Sequence, residues 1–255
     1  MKKLNLIIAI FIAISTAYAQ KLPTVQKASV FAPANIKIDG KADEWNNQFQ
    51  AYNNATDIYY TIANDNENLY FVIRVKYSEV IQKVLMGGIT ITINHTTKKR
   101  EENAISVTYP VLRNGDMSMV SNLAVRKLFP RENGDTSKTI KVDDLNQLMD
   151  NKSKQINTTG IRSIPDNTIS VYNTDGLKAA ERFDDKVQYT CEIAIPLKYL
   201  TLPDGQPFSY QIKVNEPAPI NLSRASGSRL PPPAPIPDSA DATTDFWGEY
   251  ILAKK

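Results

Sequence analysis

From Val187 to Ile195 the chain alternates without a break, with Val187, Tyr189, Cys191, Ile193 and Ile195 set against Gln188, Thr190, Glu192 and Ala194. Successive side chains of a strand point to opposite faces, so a strict period of two predicts a strand with one apolar face. The pattern recurs along the chain. Leu69, Phe71, Ile73 and Val75 oppose Tyr70, Val72 and Arg74, and the turn-forming run at residues 64–68 predicts a hairpin partner over residues 57–63. Ile89, Ile91 and Ile93 alternate with Thr90, Thr92 and Asn94; Ile105, Val107 and Tyr109 alternate with Ser106 and Thr108. Residues 95–103 read as the polar tip between these two strands. Phe208, Tyr210, Ile212 and Val214 form another strand, and residues 246–252 a last one. A parallel sheet needs crossover connections of a dozen or more residues, usually helical, and none is legible. Antiparallel strands with one apolar face must bury it against a second sheet. The expected fold is all-β, a two-sheet antiparallel β-sandwich of jelly-roll-like kind with long excursions.

Helical signals are short: one turn over residues 197–200 after Pro196, and candidates at residues 143–149 and 176–183. Residues 114–169 are polar and poorly periodic, which predicts a long excursion over an edge or face. A second excursion spans residues 215–245 and holds the proline-rich run 230–237, a stiff extended loop. Such connections are where functional side chains concentrate.

Residues 1–19 have the three parts of an export signal: Lys2 and Lys3, an apolar run over residues 4–14, and Ala17-Tyr18-Ala19 before Gln20. The run falls short of the roughly 20 residues of a membrane span, and no later stretch approaches that length. The expectation is a single β-sandwich domain over residues 20–255, secreted or periplasmic, with no membrane span in the mature chain. Loss of two lysines and no acid takes the net charge from +3 to +1. Basic side chains are scattered rather than clustered, which argues against a nucleic-acid partner. The single cysteine, Cys191, cannot form an internal disulfide; its place in the apolar row predicts a buried thiol.

Three stretches carry a resemblance. Ile36-Lys37-Ile38-Asp39-Gly40-Lys41-Ala42-Asp43-Glu44-Trp45 resembles the opening signature of carbohydrate-binding modules of family 9 and the wider DOMON-like sandwich group. Asn68-Leu69-Tyr70-Phe71-Val72-Ile73-Arg74-Val75 resembles the second signature, and Glu192-Ile193-Ala194-Ile195-Pro196-Leu197-Lys198-Tyr199-Leu200 a later strand. The resemblance implies a sandwich that binds sugars, haem or other partners, and in many members a structural calcium. In the family 9 modules two tryptophans clamp a sugar terminus; here Trp45 matches the structural signature and Trp247 maps onto no clamp residue.

The expected function is a secreted, non-catalytic carbohydrate-binding module that holds a polysaccharide or oligosaccharide by aromatic stacking and polar contacts. The alternatives are a structural or partner-binding domain of a cell-surface assembly, with the proline-rich loop as contact surface, and a haem-binding electron-transfer domain. The candidate ligand-binding residues are Trp247, Arg74, Tyr70, Tyr59 and Tyr172. Arg74 points away from the apolar row of its strand, where its fork suits sugar hydroxyls or a carboxylate. Asp57 and Asp65, with Asn66, are the candidate cation ligands for calcium. Asp39 reads as a turn residue bonding its own backbone, and Trp45 as core. His95 is the only histidine; with Met86, Met117, Met119 or Met149 it would supply haem ligands, although a solvent-facing hairpin position is the simpler reading. No catalytic constellation stands out.

Overall fold

A computed structural model describes residues 21–128, 140–216 and 244–255. Residues 1–19, expected as an export signal, and the proline-rich run lie outside the described residues. Among those described, eleven strands form two antiparallel sheets. The first holds β1 (Ala51–Asn53), β2 (Ile58–Asn64), β3 (Asn68–Val75), β9 (Tyr189–Pro196) and β8 (Lys178–Phe183), in that spatial order. The second runs β11 (Asp245–Tyr250), β10 (Phe208–Val214), β4 (Ile89–Ile93), β5 (Ile105–Val111), β6 (Gln155–Thr159) and β7 (Thr168–Ser170). The chain crosses between sheets after β3, β7 and β9. The all-β two-sheet sandwich expected from the alternation is the observed architecture.

The apolar rows meet between the sheets. Tyr60, Phe71, Ile73, Tyr189 and Ile193 of the first sheet pack against Ile91, Val107, Phe208, Tyr210 and Ile212 of the second, all essentially inaccessible to solvent. Cys191 is fully buried among them, and burial pushes its thiol well up. Inside this core the Tyr60 and Tyr210 hydroxyls bond each other at 3.0 Å across the two sheets.

Two readings of the sequence are corrected. Of residues 176–183, expected as helix, Lys178–Phe183 form strand β8, paired with β9 from Lys178↔Ala194 to Phe183↔Tyr189. Lys-Ala-Ala-Glu-Arg-Phe is built of good helix formers, but the free edge of β9 overrides that propensity. The polar tract at residues 114–169 is not a bare excursion. It holds α2 (Asn114–Leu128), α3 (Val142–Lys152), β6 and β7. Its apolar residues are few but placed at helical spacing, Val120 with Ala124 and Leu145 with Met149, all buried. The short helix expected at residues 143–149 lies inside α3. A further helix, α1 (Ser78–Gly87), buries Ile81, Val84 and Leu85, and α4 (Leu197–Leu200) is the single turn expected after Pro196. No helix among the described residues is long and apolar enough to cross a membrane.

Side-chain amides close two exposed strand edges. Gln26 accepts from Ile62 N–H and donates to Ile62 C=O, both at 2.8 Å, beyond the end of short β1. Asn146 of α3 does the same for Phe183 on the outer edge of β8, at 2.8 and 3.0 Å.

Candidate functional site

The outer face of the first sheet is covered over part of its area only. The segment entering β1 lays Trp45 and Ala42 on Ala63, Tyr70, Val72 and Ala194, with Ile36, Ile38 and Phe49 around them. This second small core is fastened by one carboxylate. Glu192, fully buried on the outward row of β9, accepts Asp39 N–H at 3.1 Å and Gly40 N–H at 3.0 Å on Oε2, and Trp45 Nε1–H at 3.2 Å on Oε1. Burial pushes its carboxyl up to about 7, against the downward pull of the three donors. Gly40 sits at φ +80°, and a Cβ there would stand 2.4 Å from the carbonyl carbon of Glu181. Asp39 bonds Lys41 N–H within its own turn, at 3.0 Å. Trp45, only 7 % exposed, is core as expected.

Below this cover one cross-strand row is only partly covered, with Thr190 buried in it and its other members partly exposed. Tyr52 pairs with Tyr59, Tyr59 with Arg74, Arg74 with Thr190, and Thr190 with Arg182. The row crosses all five strands, about 19 Å at normal strand spacing, with every side chain on the face away from the sandwich core. At its middle, Arg74 donates from Nε to Thr190 Oγ1 at 3.1 Å and from Nη2 to Asn47 Oδ1 at 2.8 Å. Its guanidinium carbon lies 5.2 Å from the centre of the Phe49 ring. Burial lowers the Arg74 pKa, while the charges of Asp184 and Asp43 raise it.

On one side of Arg74, partly exposed Tyr52, Tyr59 and Phe49 form an aromatic strip. The Tyr52 and Tyr59 ring centres are 4.5 Å apart, those of Phe49 and Tyr59 6.1 Å, and Lys76 Nζ stands 3.9 Å over the Tyr59 ring. On the other side a cleft of about 490 Å³ opens, lined by Arg74, Thr190, Asn47, Gln188, Arg182 and the turn at residues 184–186. A flat apolar strip beside a polar cleft of mixed charge is chemistry for a ligand with both a hydrophobic face and hydrogen-bonding edges.

No family model matches this sequence, and no curated protein does.

The structure brings together Arg74 and Tyr59 of the residues singled out by sequence and disperses the others. Tyr70 is buried under Trp45, its hydroxyl donating to Asp65 Oδ2 at 2.7 Å. Trp247 lies on the outward row of β11, opposite Gln211, so it faces away on the other side of the sandwich. Tyr172, 73 % exposed, follows β7 and takes a hydrogen bond from Lys154 Nζ at 2.5 Å. Asp57 and Asp65 stand at opposite ends of β2, roughly 25 Å of extended chain apart. Asp57 is held by Tyr52 at 2.6 Å, and Asp65 by the backbone of Glu67 and Asn68 at 2.8 and 2.7 Å. The two do not form one rim, and no group of three or more His, Cys, Asp or Glu that could hold a metal ion occurs among the described residues. His95 sits in the β4–β5 loop with Nδ1 3.3 Å from Glu101 Oε2, and Met149 is on the buried side of α3.

Asn47, Phe49, Tyr52, Thr190 and Arg182 were not read from sequence as site residues. Thr190 carried a signal, an outward position on the most regular strand. Its neighbourhood with Arg74 depends on the β3–β9 register and is not written locally.

Proposed function

We propose that this chain is a non-catalytic glycan-binding module of an exported protein, holding a sugar chain along the Tyr52–Tyr59–Arg74–Thr190–Arg182 row. The observation that carries this is the juxtaposition of the aromatic strip with the Arg74 cleft on the part of the first sheet's outer face that the covering segment leaves free. Pyranose rings present an apolar C–H face and a rim of hydroxyls. The strip would take the face, and Arg74, Asn47 and Gln188 would take the hydroxyls. The resemblance to family 9 modules and the DOMON-like sandwiches supports the same reading. In that reading the module uses a sheet face rather than a tryptophan clamp.

A glycan-array screen of residues 20–255, followed by calorimetry on each hit, tests the proposal. Tyr59→Ala and Tyr52→Ala are expected to weaken binding tenfold or more, about 1.4 kcal/mol. Trp247→Ala should leave affinity unchanged, and unfolding curves of all three should confirm that the variants fold. Binding lost in Trp247→Ala and kept in both tyrosine variants would move the site to the other sheet and refute this one.

A further inference from the structure

We infer that the Arg74 cleft selects sugars bearing a carboxylate, so that the ligand is a uronic-acid glycan held through the free end of the guanidinium. This rests on the glycan-binding reading and narrows its substrate class. Arg74 is half-buried, yet the groups it touches are all neutral: a threonine hydroxyl, an asparagine amide oxygen and a phenylalanine ring. Among the described residues no carboxylate lies within ion-pair distance of it. The acids that raise its pKa, Asp184 and Asp43, act from farther off. Asp184 Oδ1 is occupied by the N–H groups of Lys186 and Gln188, at 3.0 and 2.8 Å. The guanidinium thus carries its charge without a contacting counter-ion and keeps donors free for a ligand that brings one.

The geometry of what remains free sets the partner's shape. A guanidinium has five N–H donors. Nε spends its one on Thr190 and Nη2 spends one on Asn47, which leaves three, on Nη1 and Nη2. Those two nitrogens form the end-on fork that matches the two oxygens of a carboxylate in its own plane. Thr190 and Asn47 fix the fork's orientation, so little rotamer freedom is left to lose on binding. Lys41, Lys186 and Arg182 line the same cleft with Asp43, Asp184 and Asp185, so the lining as a whole is of mixed charge and the selectivity rests on the Arg74 fork. The nearby aromatic strip supplies the stacking that a free small anion cannot use, which favours a sugar carboxylate over an isolated one.

The test presents the full exported chain with a panel of uronic-acid polysaccharides (polygalacturonate, alginate and glucuronoxylan), each beside its own carboxyl-reduced form and alongside a neutral glycan array. At least one acidic member is expected to bind tenfold or more tighter than its reduced form, with the preference shrinking at high ionic strength. Arg74→Gln should abolish that preference while keeping residual binding to the neutral form. Arg74→Lys, which keeps the charge and loses the fork, should recover only part of it. Equal affinity for acidic and reduced forms, or binding confined to neutral glycans, would overturn the carboxylate assignment and leave the glycan site standing. Full recovery by Arg74→Lys would overturn the fork. A chain that binds no glycan, charged or neutral, would overturn the proposed function itself and this inference with it.

Discussion

Glu192→Ala is expected to release the covering segment from the first sheet and to cost about 3–5 kcal/mol of stability at about pH 8, where the carboxylate is ionised. Three donors converge on this side chain: two backbone N–H groups of the Asp39–Gly40 turn and the indole of Trp45. An alanine leaves all three facing a buried gap. A buried donor left without a partner costs about 1–3 kcal/mol, and entry of water into the gap would recover some of that sum. Glu192→Gln keeps the volume but turns an amide N–H₂ toward one set of donors, so it should destabilise by less. Urea unfolding gives the magnitude. The mechanism has its own readout: in a Trp247→Phe background Trp45 is the sole tryptophan, and its emission should shift to the red in Glu192→Ala before global unfolding. A variant within about 1 kcal/mol of the parent, with unshifted Trp45 emission, would show that packing alone holds the segment.

The same contact explains what was and was not legible in the sequence. The stretches resembling a family opening and a later family strand, residues 36–45 and 192–200, are visible as two separate motifs. That the first residue of one is the hydrogen-bond acceptor for the other is a fact of register, across about 150 positions, and no local pattern encodes it. Strands such as β3 and β9 were readable because one face is apolar throughout, so alternation survives in composition. β8 was not readable, because its residues favour helix and only the free edge of β9 makes it a strand. α1 was missed although Ile81, Val84 and Leu85 stand at helical spacing, a signal too short to compete with the flanking strands. The site follows the same rule. Arg74 could be found as a charge on the outward row of a central strand. Thr190, 116 residues away, and Asn47 could not. Trp247, chosen for its residue type alone, turned out to face the opposite side.

Stability should fall as pH rises from about 4.5 to about 7, and Glu181→Gln should remove much of that fall. Glu181 lies on the inward row of β8, fully buried against the core, with its Oε2 taking the Tyr189 hydroxyl and its Oε1 without a partner. The Ser153 hydroxyl at the end of α3 is buried beside it. Burial pushes the Glu181 carboxyl up from 4.5 to about 7, the Ser153 and Tyr189 hydroxyls pull it down, and the charge of Asp150 pushes it up further. The folded state therefore holds this proton more tightly than the unfolded chain does. The stabilisation is complete below the unfolded value of 4.5, is lost as pH rises through the folded value of about 7, and changes little above it. Each tenfold difference in proton affinity is worth about 1.4 kcal/mol, so Glu181 withdraws roughly 3 kcal/mol across the window. Glu192, pushed to about 7 by its own burial, adds a loss of the same sign. Glutamine copies the neutral acid in size and carries no charge. Glu181→Gln should match the parent near pH 4.5 and exceed it by up to roughly 3 kcal/mol near pH 8, in urea unfolding followed at several pH values. A variant that is destabilised equally at both ends of the range would mean that the buried carboxyl is held ionised by its neighbours, and that its charge supports the core.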